Sequence, residues 1–179
     1  MRRCRKCGGT GVIYDRNIQA GSYGELKVCE CIEKQCTCNA LPPYQLFNEK
    51  GEHSWCVCRS ARKRLEVTKK AFRESNIPRK YMWKFREDFK IESSTASKII
   101  GYVNTISDKA LDEKWKDGFY MWGPAGSGKT LLASIFLQEL MLKYARPGRF
   151  VDLSRQFFQR LKRSYDSTDE TYGTSGQIL

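Results

Sequence analysis

Eight cysteines lie between residues 4 and 58 of this chain, and no cysteine follows. They come as four close pairs: Cys4-x-x-Cys7, Cys29-x-Cys31, Cys36-x-Cys38 and Cys56-x-Cys58. A region this short has few periodic apolar residues and cannot build a core sufficient to fold alone. It needs cross-links. In an oxidising compartment those would be disulfides; in a reducing one, clustered cysteines hold metal. Zinc takes four soft ligands in a tetrahedron, and two pairs on two tight turns supply them. The glycines after Cys7 allow its turn to aim backbone amides at the thiolates.

Eight ligands suit two zinc ions. Sequential pairing groups Cys4, Cys7, Cys29 and Cys31, then Cys36, Cys38, Cys56 and Cys58. Nested pairing sets Cys4/Cys7 with Cys56/Cys58 around Cys29/Cys31 with Cys36/Cys38. The sequential order is the simpler one. An iron–sulfur cluster can use the same residues. His53, the single histidine, reads as a surface loop residue, because the ligand count is complete without it.

Three segments follow from composition. Residues 1–58 form a cysteine-rich zinc-binding domain, 59–90 a basic helical linker, and 91–179 the N-terminal portion of a P-loop domain. The linker carries twelve Lys/Arg against four Asp/Glu from Arg59 to Lys90. Ala61, Leu65, Thr68 and Phe72 fall at helical spacing. Asn76 and Pro78 end that helix. The run "IPRKYMWKFREDF" interleaves cations with Tyr81, Trp83, Phe85 and Phe89. Such a mixture suits base stacking with phosphate contact. The simpler expectation packs Trp83, Phe85 and Phe89 against the following domain and leaves the cations for phosphate. A further helix is expected over Lys98–Lys114.

Residues 119–122, "FYMW", read as a buried strand. Gly123-Pro124-Ala125-Gly126-Ser127-Gly128-Lys129-Thr130 then matches G-x-x-x-x-G-K-[ST], and an apolar helix follows from Thr130 and Leu131. The glycines admit backbone angles that a side chain obstructs, so the amides form an anion nest at a helix N-terminus. Lys129 is expected on the β- and γ-phosphates of ATP, and Thr130 on Mg²⁺. "RFVDLS" (149–154) reads as a second strand and "RQFFQRLKRSY" as a second helix. The expected fold class is α/β, a partial parallel P-loop sheet preceded by a small zinc-binding domain and a helical linker.

Hydrolysis in this class asks for an apolar strand ending in acidic residues. Asp152, Asp166, Asp169 and Glu170 do not sit in one, so the catalytic residues are unknown and the ATPase domain is expected to be incomplete, a fragment. A net charge of +12 points to an acidic polymer, most simply nucleic acid. No apolar run approaches the roughly 20 residues that span a bilayer. No apolar segment follows the basic N-terminus as in a signal peptide. The expected location is the cytoplasm, with no membrane partner.

Several stretches together resemble one family. "CRKCGGTGVIYD…KVCECIEK" looks like the N-terminal zinc finger of bacterial helicase loaders. "RSARKRLEVTKKAFRESNIPRKYMWKFREDF" looks like their linker, and "FYMWGPAGSGKTLLAS" like their phosphate-binding strand, loop and helix. The chain thus resembles the AAA+ ATPases of the helicase-loader type, DnaC-like, and the related IstB transposition helpers. The resemblance implies that the N-terminal region binds the replicative DNA helicase or DNA. It implies that the AAA+ part binds ATP and single-stranded DNA, with Ile77, Pro78 and Tyr81 near adenine, and that the full-length protein forms a homo-oligomer. Two other readings compete. One is a non-catalytic, zinc-dependent nucleic-acid-binding module whose P-loop only senses nucleotide. The other is a small P-loop kinase, for which no acceptor-binding element is visible.

Overall fold

The computed structural model describes residues 4–16, 24–89, 119–153 and 158–168, with Ser97, Gly101, Thr105, Glu170 and Gly173. The chain divides into two units, Met1–Gly148 and Arg149–Leu179. The first opens with a hairpin, β1 (Val12–Asp15) and β2 (Glu25–Val28), then the short helix α1 (Glu30–Glu33). A second hairpin follows, β3 (Gln45–Phe47) and β4 (His53–Trp55), and then α2 (Cys58–Glu74). A 3-10 turn (Arg86–Asp88) precedes α3 (Lys129–Tyr144). The second unit holds α4 (Phe158–Tyr165).

Both sheets are two-stranded and antiparallel, with Val12 opposite Val28 and Gln45 opposite Trp55. Neither is large enough to be stable alone in water. The first hairpin gains its stability by laying Val12, Leu26 and Val28, all but fully buried, on α2. Gly11 permits that approach. A Cβ there would stand 2.8 Å from the Cβ of Ala61, and its φ of +75° is one that side chains disfavour.

α2 buries Cys58, Ala61, Thr68, Ala71 and Phe72 and leaves Leu65 half-buried. This is the apolar stripe expected from spacing, extended by a cysteine at its first residue. The helix stops at Ser75, and Asn76 turns left-handed at φ +56° ahead of Pro78. Beyond it the aromatic run folds inward. The ring of Trp83 lies between Phe72 at 4.9 Å and Tyr14 at 5.2 Å, nearly parallel to both. Phe85 is buried against Tyr14 at 4.7 Å. These aromatics therefore pack backward, on the first hairpin and α2, as well as toward α3.

α3 buries Leu132, Ser134, Ile135, Gln138 and Met141. Gln138 is fully buried and satisfies the backbone of the aromatic segment. Its Oε1 accepts from the Trp83 N–H at 2.6 Å, and its Nε2 donates to the carbonyls of Tyr81 at 3.0 Å and Lys84 at 3.1 Å.

The expected parallel sheet is not formed by the described residues. Residues 119–122 carry no strand, with Tyr120 87% and Trp122 84% exposed, although Phe119 meets Phe136 edge-on at 5.1 Å. Residues 149–153 carry none either, and Val151 and Leu153 are exposed. A strand exists only where a neighbour accepts its backbone hydrogen bonds, and among the described residues neither segment has one. What is established is a mixed α/β chain with small antiparallel sheets. The helix expected over Lys98–Lys114 lies outside the described residues, except that Gly101 and Thr105 are helical.

Candidate metal centres and phosphate loop

The first centre is assembled by the ends of one hairpin. Cys4 and Cys7 sit on the turn before β1, where the Gly8 N–H donates to the Cys4 carbonyl at 2.8 Å. Cys29 and Cys31 sit where β2 passes into α1, and the Cys29 N–H closes the hairpin on the Gly11 carbonyl at 2.8 Å. The Sγ atoms of Cys4 and Cys29 are 3.9 Å apart, and those of Cys7 and Cys31 3.7 Å.

The second centre repeats the plan. Cys36 and Cys38 lie on the turn before the β3–β4 hairpin. Cys56 follows β4, and Cys58 is the first residue of α2. Sulfur separations are 3.7 Å for Cys36–Cys38, 3.4 Å for Cys38–Cys58 and 4.0 Å for Cys36–Cys56. Within each group of four, all sulfurs lie within 4.8 Å of one another. The grouping is the sequential one.

These distances discriminate. A disulfide would need about 2.05 Å between sulfurs, and all eight cysteines are free. Thiolates at about 2.3 Å from a central zinc stand about 3.8 Å apart along the edges of a tetrahedron. The observed separations scatter around that value. In a multi-iron cluster the cysteines bind different irons and are held further apart. Each site therefore fits a single metal ion such as zinc. His53 belongs to neither group; it is exposed on β4 and meets Trp55 edge-on at 6.1 Å.

The protonation balance inside each group points the same way. The amide of Cys7, then that of Lys6, brings the Cys4 thiol down to about 7. Burial and the neighbouring sulfurs push Cys31 up to about 12. In the second group the amides of Cys58 and Thr37 bring Cys56 down to about 5, while burial pushes Cys58 up to about 12. Four thiols this close do not all ionise by themselves, because like charges repel. A divalent cation at the centre removes that repulsion and deprotonates them.

Arg62 is the neighbour that spacing did not single out. It lies one helical turn after Cys58, and the thiols of Cys58 and Cys36 act on its guanidinium electrostatically. Burial pushes Arg62 down, but those sulfurs outweigh it and hold the guanidinium above its usual range. Its Nε is buried without a protein hydrogen-bond partner. A zinc ion with four thiolates would carry a net charge of about −2, and Arg62 would offset part of it. The signal in the sequence was its i+4 position from a cysteine that begins a helix.

The phosphate loop keeps its separate geometry. Gly123, Gly126 and Gly128 have φ of +152°, +82° and +83°, values that L side chains rarely adopt. Gly128 caps α3, which begins at Lys129. Lys129 Nζ bends back and donates to the Gly123 carbonyl at 2.9 Å, the Pro124 carbonyl at 2.7 Å and Ser127 Oγ at 3.1 Å. Pro124, Ala125, Gly126, Ser127 and Thr130 are exposed, and Leu131 is half-buried. Phe89 closes one side: a Cβ on Gly128 would come within 3.2 Å of its ring. Ile77 is buried, and Pro78 and Tyr81 are half-buried. Tyr81 is tied to α3 at Gln138, about 14 Å along the helix from Lys129.

No helix among the described residues is long and apolar enough to cross a membrane. Set against protein-family models, curated proteins and solved structures, the chain has no match in any of the three.

Proposed function

We propose that this chain is the nucleotide-binding and zinc-binding part of a DNA replication ATPase of the AAA+ helicase-loader type. It acts with the replicative DNA helicase and single-stranded DNA. The observation that carries the reading is the loop Gly123–Thr130. Its three left-handed glycines lead directly into α3, and the Lys129 ammonium is held across the loop.

With ATP bound, Lys129 would exchange its carbonyl partners for phosphate oxygens. The loop amides would take the remaining oxygens, and Thr130 would offer its hydroxyl to Mg²⁺. ATP and magnesium bring the triphosphate and its counter-charge. The chain contributes the nest, the lysine and the helix N-terminus. Cys4, Cys7, Cys29 and Cys31 would hold one zinc ion and Cys36, Cys38, Cys56 and Cys58 another, and each group would then tie a hairpin to the element that follows it. Through α2, the aromatic segment and Gln138 the zinc-bound region is continuous with the helix of the phosphate loop. The AAA+ component of this reading also asks for a parallel sheet beside residues 119–122, and the helicase component for a homo-oligomer.

The experiment is a loading assay with replicative helicase on single-stranded DNA circles, with ATP·Mg²⁺. Retention of helicase on DNA that depends on both the chain and ATP supports the reading. Retention equally strong without nucleotide rejects it in favour of a zinc-dependent nucleic-acid-binding module with a nucleotide-sensing loop.

A further inference from the structure

The aromatics of the linker are consumed by packing, yet another set stands open. Register places Gln45 opposite Trp55 and Phe47 opposite His53, so all four lie on one face of the second hairpin. On that face Phe47 is 71% and Trp55 47% exposed, and His53 is exposed too. The guanidinium of Arg59 lies 3.4 Å from the centre of the Trp55 ring. From Arg59 the helical period carries the same side of α2 through Lys63, Glu66, Lys70 and Arg73. The last four are exposed.

We propose that this aromatic face and the stripe on α2 form one binding surface for single-stranded nucleic acid, with bases on the hairpin and phosphates along the helix. The proposal names the contact surface for the polymer in the proposed function, and it rests on that reading for its biological setting. Three observations choose this partner. Flat rings exposed on one hairpin face accept unstacked bases of any sequence, Trp55 on the side away from Arg59, while a paired duplex hides its base faces. Arg59 sets a cation directly on a stacking ring. Arg59, Lys63, Lys70 and Arg73, against Glu66 and Glu74, leave this side of the helix net positive over about 21 Å, suited to a phosphate backbone. Lys70 also meets Glu74 at 3.9 Å, an exposed pair that phosphate can displace.

The test is fluorescence anisotropy with a labelled oligothymidylate and with a duplex of equal length, using zinc-loaded chain between 50 and 200 mM salt. The parent chain binds the single strand more tightly than the duplex. Trp55→Ala and Phe47→Ala each weaken that binding at least about fivefold, and Trp55→Phe restores most of it. Lys63→Ala with Lys70→Ala lowers the slope of log affinity against log salt by about 1.4. Unchanged zinc content and thermal unfolding keep the comparison valid. Equal affinity for parent and Trp55→Ala overturns the proposal, as does a preference for duplex. It is also overturned if Trp55→Ala leaves the oligonucleotide bound but abolishes self-association or helicase binding, since the face then serves a protein. ATP·Mg²⁺ binding, measured on the same samples, separates the two claims. Nucleotide bound with Trp55 irrelevant to DNA sinks only this inference; no nucleotide bound with Trp55 essential sinks only the function proposed above.

Discussion

Gln138 and Trp83 hold each other in place: the buried amide oxygen of one accepts the backbone N–H of the other at 2.6 Å. Trp83 has a left-handed backbone, φ +62°, which is uncommon for a bulky residue. Its ring is clamped between Phe72 and Tyr14. Replacing Gln138 by Leu leaves one N–H and the carbonyls of Tyr81 and Lys84 without this partner inside the protein, besides the Ser134 carbonyl of its own helix. A loss of about 1–3 kcal/mol per unsatisfied group is expected. Urea unfolding of Gln138→Leu should show a clearly lower midpoint at unchanged slope. An unchanged midpoint would mean that water replaces the amide.

Two independent groups of four thiols predict two metal ions per chain. Metal analysis of anaerobically purified protein should give two zinc per chain, and one after either Cys29→Ser or Cys58→Ser. Chelation should unfold residues 4–58, because metal binding supplies the stability that so small a core lacks. A full complement of zinc in either variant would contradict the assignment of ligands.

Arg62 predicts that the two centres differ in lability. Arg62→Gln removes the cation beside Cys58 and Cys36. Transfer of zinc to a chromogenic chelator should then accelerate severalfold for one equivalent and stay unchanged for the other. Equal acceleration of both would show that Arg62 acts on overall stability instead.

Asp88 gives a dependence on pH. Burial pushes its carboxyl up, but the Phe85 amide and the Arg16 guanidinium outweigh burial and hold it below the usual value. Arg16 grips it with two bonds, at 3.1 and 2.8 Å. The unfolded chain binds the proton more readily, so the contribution of Asp88 is present above about pH 4 and is lost as pH falls through the folded value. Thermal unfolding from pH 7 to pH 3 should show a steeper loss in the parent than in Asp88→Asn. Parallel curves would remove Asp88 from the acid response.

Much of this arrangement was legible in the residues. Cysteine spacing with its glycine turn told of two groups of four cysteines that could hold metal, and the order of grouping needed only geometry to choose it. The stripe Ala61, Thr68, Phe72 and the stop at Asn76–Pro78 placed α2. The left-handed glycines before Lys129 followed from the motif. What spacing could not reveal depends on contacts distant along the chain. Besides the Ser134 carbonyl in its own helix, the carbonyls that Gln138 satisfies lie more than fifty residues away, and a lone glutamine in an apolar helix does not say which ones. Residues 119–122 looked like a strand from their apolar aromatics, but a strand depends on a partner that local sequence does not name. Trp55 and Phe47 were passed over because alternation across a three-residue strand is too short to separate an inward from an outward face.

The grip of residues 123–130 on a triphosphate is the claim everything functional depends on, and titration calorimetry of the zinc-loaded chain with ATP·Mg²⁺ tests it most directly. One saturable site per chain, at least tenfold weaker in Lys129→Ala and weakened by omitting magnesium, is the predicted result. No heat of binding in the parent, or the same isotherm in Lys129→Ala, would contradict it.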